Sequence, residues 1–124
     1  MNYEFVHCHT HTEYSLLRSS ATVKDLVKYC TDNNSPAIAM TDNAVMYGAI
    51  DFYKKAKDLK IKPLIGCELS LAPNGRLNKN SKERFQVVLI AQNEKGYKNL
   101  TQLVSNAWIE GFYYEPRTDN EMLE

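Results

Sequence analysis

Residues 36 to 73 read PAIAMTDNAVMYGAIDFYKKAKDLKIKPLIGCELSLAP, with a continuous apolar run, Ala37 to Met40, and a second stretch of strand length, Ile61 to Gly66, on either side of a lysine-bearing stretch. A continuous apolar run of strand length is the pattern of a parallel strand buried on both faces. The stretch from about Val45 to Lys60 reads as the connecting helix, with Ile50, Tyr53 and Leu59 available to pack inward. Lys54, Lys55, Lys57 and Lys60 then form a solvated face. Strand, helix and strand in this order make a parallel α/β unit.

The same alternation continues in both directions. Upstream, Thr22 is a candidate N-cap for a helix in which Val23, Leu26, Val27 and Cys30 recur at three- and four-residue spacing and Asp25 lies in the first turn. Asp32 to Pro36 ends that helix, Phe5 to His9 reads as a short first strand, and Thr10 to Ser20 as a polar loop. Downstream, Cys67 to Ala72 leaves or extends the third strand, Pro73-Asn74-Gly75 is a strong turn, and Arg76 to Arg84 is a polar loop or hairpin. Phe85 to Ala91 is a fourth strand. Asn93 can cap a helix from about Glu94 to Ala107 with Tyr97, Leu100, Leu103 and Val104 on one face. The tail from Trp108 to Glu124 mixes aromatic residues with a last helical turn. The expectation is an α/β fold with a mainly parallel sheet.

Composition narrows the function classes. The chain has 124 residues, enough for one ordinary domain but well short of the roughly 250 of a closed (β/α)₈ barrel. Lys+Arg and Asp+Glu are 15 each, so there is no general field for nucleic acid or an anionic membrane. The lysines near residue 55 are interleaved with Asp51 and Asp58 and make a poor DNA patch. No apolar run approaches the roughly 18 residues of a membrane span, and no signal-peptide pattern opens the chain, so a cytoplasmic location is expected. Cys8, Cys30 and Cys67 are widely spaced without CxxC, as suits reduced thiols. GxGxxG, Walker A and GxSxG sequences are absent, which removes the best support for dinucleotide, NTP and α/β-hydrolase chemistry. The final residues Asn120 to Glu124 read as the middle of a helix, so an incomplete unit with an exposed sheet edge is expected.

All three histidines fall in His7-Cys8-His9-Thr10-His11. On a strand they share one face, which presents imidazoles to a metal; the plainer alternative is a solvated polar edge strand. Functional residues of parallel α/β folds collect where strands end, and the strand ends here supply Asp42, Asn43 and Glu68 as well. At least two imidazoles, two carboxylates and an amide suit a metal-assisted hydrolytic centre. For Asp42 the favoured role is to cap the following helix, and for Glu68 the plainer alternative to a ligand is an acceptor of loop N–H groups.

The segments FVHCHTHTEYSLL, the 36 to 73 stretch and VVLIAQNEKGYKNLTQLVSNAWIEGFYYEPR resemble the polymerase-and-histidinol-phosphatase (PHP) domain, in the branch found at the N-terminus of bacterial DNA polymerase III α subunits. The resemblance runs from about Phe5 to Arg117. It implies the first half of a distorted (β/α)₇ barrel, with residues 1–124 a partial PHP domain continuing beyond Glu124 in the parent family. It also implies that His9 and His11 are the first metal motif and Glu68 the bridging acid, with Asp42 and His7 as further ligand candidates. The pattern departs at Arg18, where metal-binding members carry aspartate, and at Asn43 and Gln86, where they carry histidine. A permanent cation at Arg18 opposes a nearby divalent ion, and it could pair with Glu68 or Asp42 in place of the metal. The expectation is a relic site without a cofactor, or with Zn or Mn if it still functions, and no catalytic residue is assigned. The implied role is a scaffold within a replicative polymerase that can dock the proofreading exonuclease subunit and meets DNA only through the parent polymerase. The alternative is an active metal-dependent phosphoesterase.

Overall fold

The computed structural model describes residues 5–124. Its elements in chain order are α1 (Val23–Asp32), β1 (Ala37–Met40), α2 (Ala49–Asp58), β2 (Lys62–Leu71), β3 (Phe85–Ile90), α3 (Glu94–Ile109), β4 (Arg117–Thr118) and α4 (Asn120–Leu123). Local chemistry sets the helix starts. The Thr22 hydroxyl oxygen accepts the Asp25 N–H at 3.1 Å at the head of α1, and Asn93 Oδ1 accepts the Gly96 N–H at 2.9 Å at the head of α3.

The connecting helix differs from its expected form. α2 begins at Ala49 rather than near Val45, because Ala44 takes a left-handed φ of 58° and the chain turns before entering the helix. Gly48 lets the chain pass close to Tyr14 there, since a Cβ would lie 2.6 Å from its ring and would force that side chain to move. The buried stripe is Ala49, Phe52 and Ala56, whereas Ile50, Tyr53 and Leu59 are 60, 48 and 49% exposed. Both stripes carry apolar residues one position apart, so periodicity alone cannot choose between them. Turning alanines inward lets α2 approach the sheet closely, with Phe52 as the one large side chain filling the space.

β2 organises the sheet. Its first four residues pair in parallel with β1, from Ala37 beside Lys62 to Met40 beside Ile65. Its last six pair antiparallel with β3, from Gly66 beside Ile90 to Leu71 beside Phe85, and Ser70 and Leu71 also pair in parallel with β4. The sheet is therefore mixed: residues 72–84 form a hairpin connection without a crossover helix, so the chain reverses into β3. The Phe5 to His9 strand is reduced to a single parallel bridge between His7 and Ile38. Beyond it, hydroxyls take over ladder positions: Thr10 N–H donates to Thr41 Oγ1 at 2.9 Å, and the Thr10 hydroxyl donates to the Ala39 carbonyl.

Two cores result. One joins α1, α2 and β1 through Val23, Val27, Cys30, Ile38, Met40 and Phe52; the other joins β2 and α3 through Cys67, Leu69, Leu100, Val104 and Ala107. Because strand side chains alternate, Glu68 and Ser70 face away from α3 while Cys67 and Leu69 pack toward it.

A charged cluster ties the hairpin connection to the chain after α3. Arg117 is 1% exposed; it donates from Nε to the Gly111 carbonyl at 2.9 Å, from Nη1 to that of Asn78 at 3.0 Å, and from Nη2 to that of Arg76. Asp119 accepts the Arg76 N–H at 2.9 Å, the Arg76 guanidinium at 3.1 Å and the Met122 N–H at 3.1 Å. Burial pushes the Asp119 carboxyl up, but these donors outweigh it and hold the group below its ordinary value near 3.8.

Two predictions follow from this cluster. A Cβ at Gly111 would lie 1.9 Å from the Arg117 carbonyl oxygen, so Gly111→Ala should lose at least about 2 kcal/mol of stability, read from the urea midpoint. Asp119→Asn should lose about 1–2 kcal/mol at pH 7. A carboxyl depressed in the folded state stabilises above its unfolded pKa and loses that contribution as pH falls through the folded value. The gap between Asp119→Asn and the parent chain should therefore close below about pH 4; a gap constant from pH 7 to pH 3 would contradict this assignment.

Candidate metal centre

Glu68 lies in the middle of β2, just past the segment paired with β1, and is buried. His9 Nε2–H donates to Glu68 Oε2 at 2.6 Å and His11 Nε2–H to the same oxygen at 2.5 Å. An ionised carboxylate only accepts, so this arrangement assigns the proton of each ring to Nε2. Burial drives the Glu68 carboxyl up, but the hydrogen bonds from His9 and His11 and the attraction of both rings prevail and hold it below the usual range. The ligating atoms of His9, His11 and Glu68 all lie within 4.8 Å of one another. Two imidazole nitrogens and one carboxylate form a recognised donor set for Zn²⁺, Fe²⁺ or Mn²⁺ that leaves coordination positions open.

The remaining candidates separate. His7 does not join the group, because the backbone bends at His9; its ring stands edge-on to Phe5 and Tyr29, with centroids 4.7 and 5.7 Å away. Asp42 is fully buried and both its oxygens are engaged: Oδ1 accepts Thr12 N–H at 2.5 Å and Ser15 O–H at 2.7 Å, and Oδ2 accepts Thr12 O–H at 2.6 Å. It clamps the loop after His11 rather than capping α2, whose N-cap is Gly48. Asn43 forms a parallel bridge with Glu68, which puts the two side chains on one face. Its buried Nδ2 has no hydrogen-bond partner. Exchanging the amide atoms would aim an oxygen from that position, and this orphaned group fits a centre that takes a cation beside Glu68.

Arg18 does not substitute for a metal. It is exposed, and among the described residues no ion pair joins it to Glu68 or Asp42. Its field falls on Glu115, part of a neighbouring network that sequence reasoning missed. Ser70, two residues beyond Glu68, donates its hydroxyl to Glu115 at 2.5 Å; Arg84 pairs with Glu115 at 3.0 Å; Gln86 Nε2 donates to Ser70 Oγ at 3.3 Å. Burial raises the Glu115 carboxyl, but the Ser70 and Arg84 hydrogen bonds lead a net shift below the ordinary range. Ser70 shares a strand face with Glu68 and was discoverable from spacing, whereas Glu115 reaches the site only through the tertiary fold.

The PHP domain profile matches residues 7–124, and the chain belongs to the PHP domain family. Similar curated proteins are the DNA polymerase III subunit alpha of Chlamydia muridarum, 43% identical over 120 residues, and that of Borreliella burgdorferi, 43% identical over 124 residues. These alignments cover 94 and 97% of this chain but 10 and 11% of the relatives, so the chain spans about a tenth of their length. Among solved structures, a protein of Bifidobacterium adolescentis assigned as a metal-dependent phosphoesterase superposes with a TM-score of 0.58 at 16% identity, covering 82% of this chain and 32% of that one. An amidohydrolase from Chromobacterium violaceum, with sulfate bound and no metal, matches with a TM-score of 0.58 at 15% identity, covering 82% and 34%. These likenesses show a shared fold, and the chain has the architecture of part of a (β/α) barrel.

Next to the centre, burial foremost pushes the Cys67 thiol up to about 12, and its Sγ–H donates to the Asp42 carbonyl at 3.3 Å. Cys30 is also buried and raised, by burial first, while Cys8 is exposed. In the folded chain at pH 8, Ellman's reagent should therefore find one fast thiol, lost in Cys8→Ser. Three equally fast thiols would contradict the burial of Cys30 and Cys67.

Proposed function

We propose that this chain is the amino-terminal PHP segment of the α subunit of a replicative DNA polymerase, with its metal centre reduced to one divalent cation held by His9, His11 and Glu68. In this reading residues 1–124 are a partial domain that continues into the rest of the barrel and the polymerase, and the segment works in the cytoplasm as a scaffold. No helix among the described residues is long and apolar enough to cross a membrane. Its partners are the remainder of the α subunit and the proofreading exonuclease subunit, and DNA is engaged through the parent polymerase. The observation that carries the reading is the 43% identity over nearly the whole chain to polymerase III α subunits.

The reduction follows from three positions. Arg18 stands where a second cation would want an anion, and Asn43 and Gln86 offer amide oxygens where imidazole would bind more strongly. Zn²⁺ or Mn²⁺ suits the remaining donors, and when bound it polarises a coordinated oxygen as a Lewis acid. The chain's own residues set the rest: Glu68 accepts from both rings and orients them, while the buried Asp42 clamp fixes the loop that carries them.

The convergence of three donors within 4.8 Å favours a second reading, an active metal-dependent phosphoesterase. Metal content separates the two when it is measured with hydrolysis. The purified chain should hold about one equivalent of Zn²⁺ or Mn²⁺, lost in Glu68→Gln and kept in His7→Ala, without hydrolysing bis-p-nitrophenyl phosphate. Hydrolysis abolished by His9→Ala would favour the phosphoesterase. A native polypeptide ending at residue 124 would defeat the polymerase assignment.

A further inference from the structure

We infer that Asp42 is the positioning residue of the His9, His11 and Glu68 centre: its buried carboxylate holds the histidine segment while its backbone carbonyl holds the Glu68 strand, so that one residue sets their separation. The inference rests on the reading of that centre as a cation site.

Asp42 touches both arms of the centre. Through its side chain it holds Thr12, the residue after His11, by N–H at 2.5 Å and by O–H at 2.6 Å, and Ser15 by O–H at 2.7 Å. Through its carbonyl it accepts the Glu68 N–H at 3.0 Å. No other residue of the described chain has bonds of this kind to both segments apart from the three donors themselves. The loop is closed from behind by the Ser19 hydroxyl, which donates to the His11 carbonyl at 3.0 Å.

Hydrogen inventory explains why this position needs a carboxylate. Thr12 Oγ1 accepts the Tyr14 N–H at 3.1 Å and Ser15 Oγ accepts the Asn43 N–H at 3.0 Å, and each hydroxyl gives its single proton to Asp42. All three groups facing the side chain are then donors. An asparagine would accept at one atom and present NH₂ at the other, so the Thr12 hydroxyl would have to give up its donation and accept on its remaining lone pair. Among the described residues no cation pairs with Asp42, and a buried charge answered only by dipoles is held at a cost. Asp42 hydrogen-bonds no ligating side chain and acts one residue removed, through Thr12 and the Glu68 N–H; loss of a group that orients ligands from outside should weaken metal binding by about 10–100-fold while the ligands stay in place.

The test has two independent readouts. Asp42→Asn, with His9, His11 and Glu68 intact, should bind Zn²⁺ about 10–100-fold more weakly by isothermal titration. Ser15→Ala removes one of the three bonds, is the milder variant should Asp42→Asn not fold, and should shift affinity in the same direction by less. Ser15→Thr, which keeps the hydroxyl, should restore it. In the metal-free chain, imidazole NMR should show the Nε2–H signals of His9 and His11 lost to exchange in Asp42→Asn or Ser15→Ala, with the His7 ring signals unchanged. A merely structural role would move all three rings or none. Folded variants with parental Zn²⁺ affinity and unchanged His9 and His11 signals would overturn the assignment. If the parent chain binds no Zn²⁺, the cation reading fails, and the ring signals still decide whether Asp42 positions the imidazoles.

Discussion

Everything in this domain is arranged about the extended backbone of β2, which pairs on both edges and has a different neighbour at each end. Its first residues are locked between the parallel β1 and the helices above, and its later residues between β3 and β4. Strand alternation then does the sorting. Cys67 and Leu69 go to the apolar layer under α3, and Glu68 and Ser70 are left on the opposite face with little apolar material to meet. A carboxylate and a hydroxyl forced onto a partly buried face must find partners there. Glu68 finds His9 and His11, and Ser70 finds Glu115 and Gln86.

The polar interior is thus divided into neighbouring networks with different charge logic. Around Glu68 a carboxylate is met by two rings whose protons a divalent cation could displace, so this network can exchange its contents. Around Glu115 the acid is already answered by Arg84, a permanent cation that cannot be deprotonated. Arg18 adds its field to that of Arg84 at Glu115, whereas His9 and His11 are the groups that act on Glu68. The chain therefore carries its fixed positive charge beside the centre without filling it. Farther away, Arg117 and Asp119 use backbone groups to fasten the hairpin connection to the chain after α3, which holds β4 and Glu115 in place against β2.

Much of this was legible in residues 36 to 73. The Ala37 to Met40 run is recovered as a strand without change, and the caps at Thr22 and Asn93 start their helices as their side chains predict. His9, His11 and Glu68 could be placed together because the strand-end rule of α/β folds and the family resemblance agreed. The failures have specific causes. The inward face of α2 was misread because Ile50 and Tyr53 form an apolar stripe beside the true one at Ala49, Phe52 and Ala56. The first strand is shorter than its sequence suggests because beyond His7 the Thr10 and Thr41 hydroxyls take bonds that a regular ladder would give to backbone groups. Asp42 was weighed as a ligand or a helix cap, and its true partners, Thr12 and Ser15, are about thirty residues away in sequence.

What the sequence alone determined is what depends on neighbours along the chain: the strand and helix periods, the caps, the clustering of histidines and the family they resemble. Only the tertiary structure decided the pairing sense of β3, the face that α2 buries, the exclusion of His7 from the centre, and the exposed position of Arg18, which pairs with neither Glu68 nor Asp42 among the described residues. These outcomes turn on which of several chemically adequate partners comes within hydrogen-bond or packing distance. That selection is made by the close packing of distant segments, which no local pattern encodes.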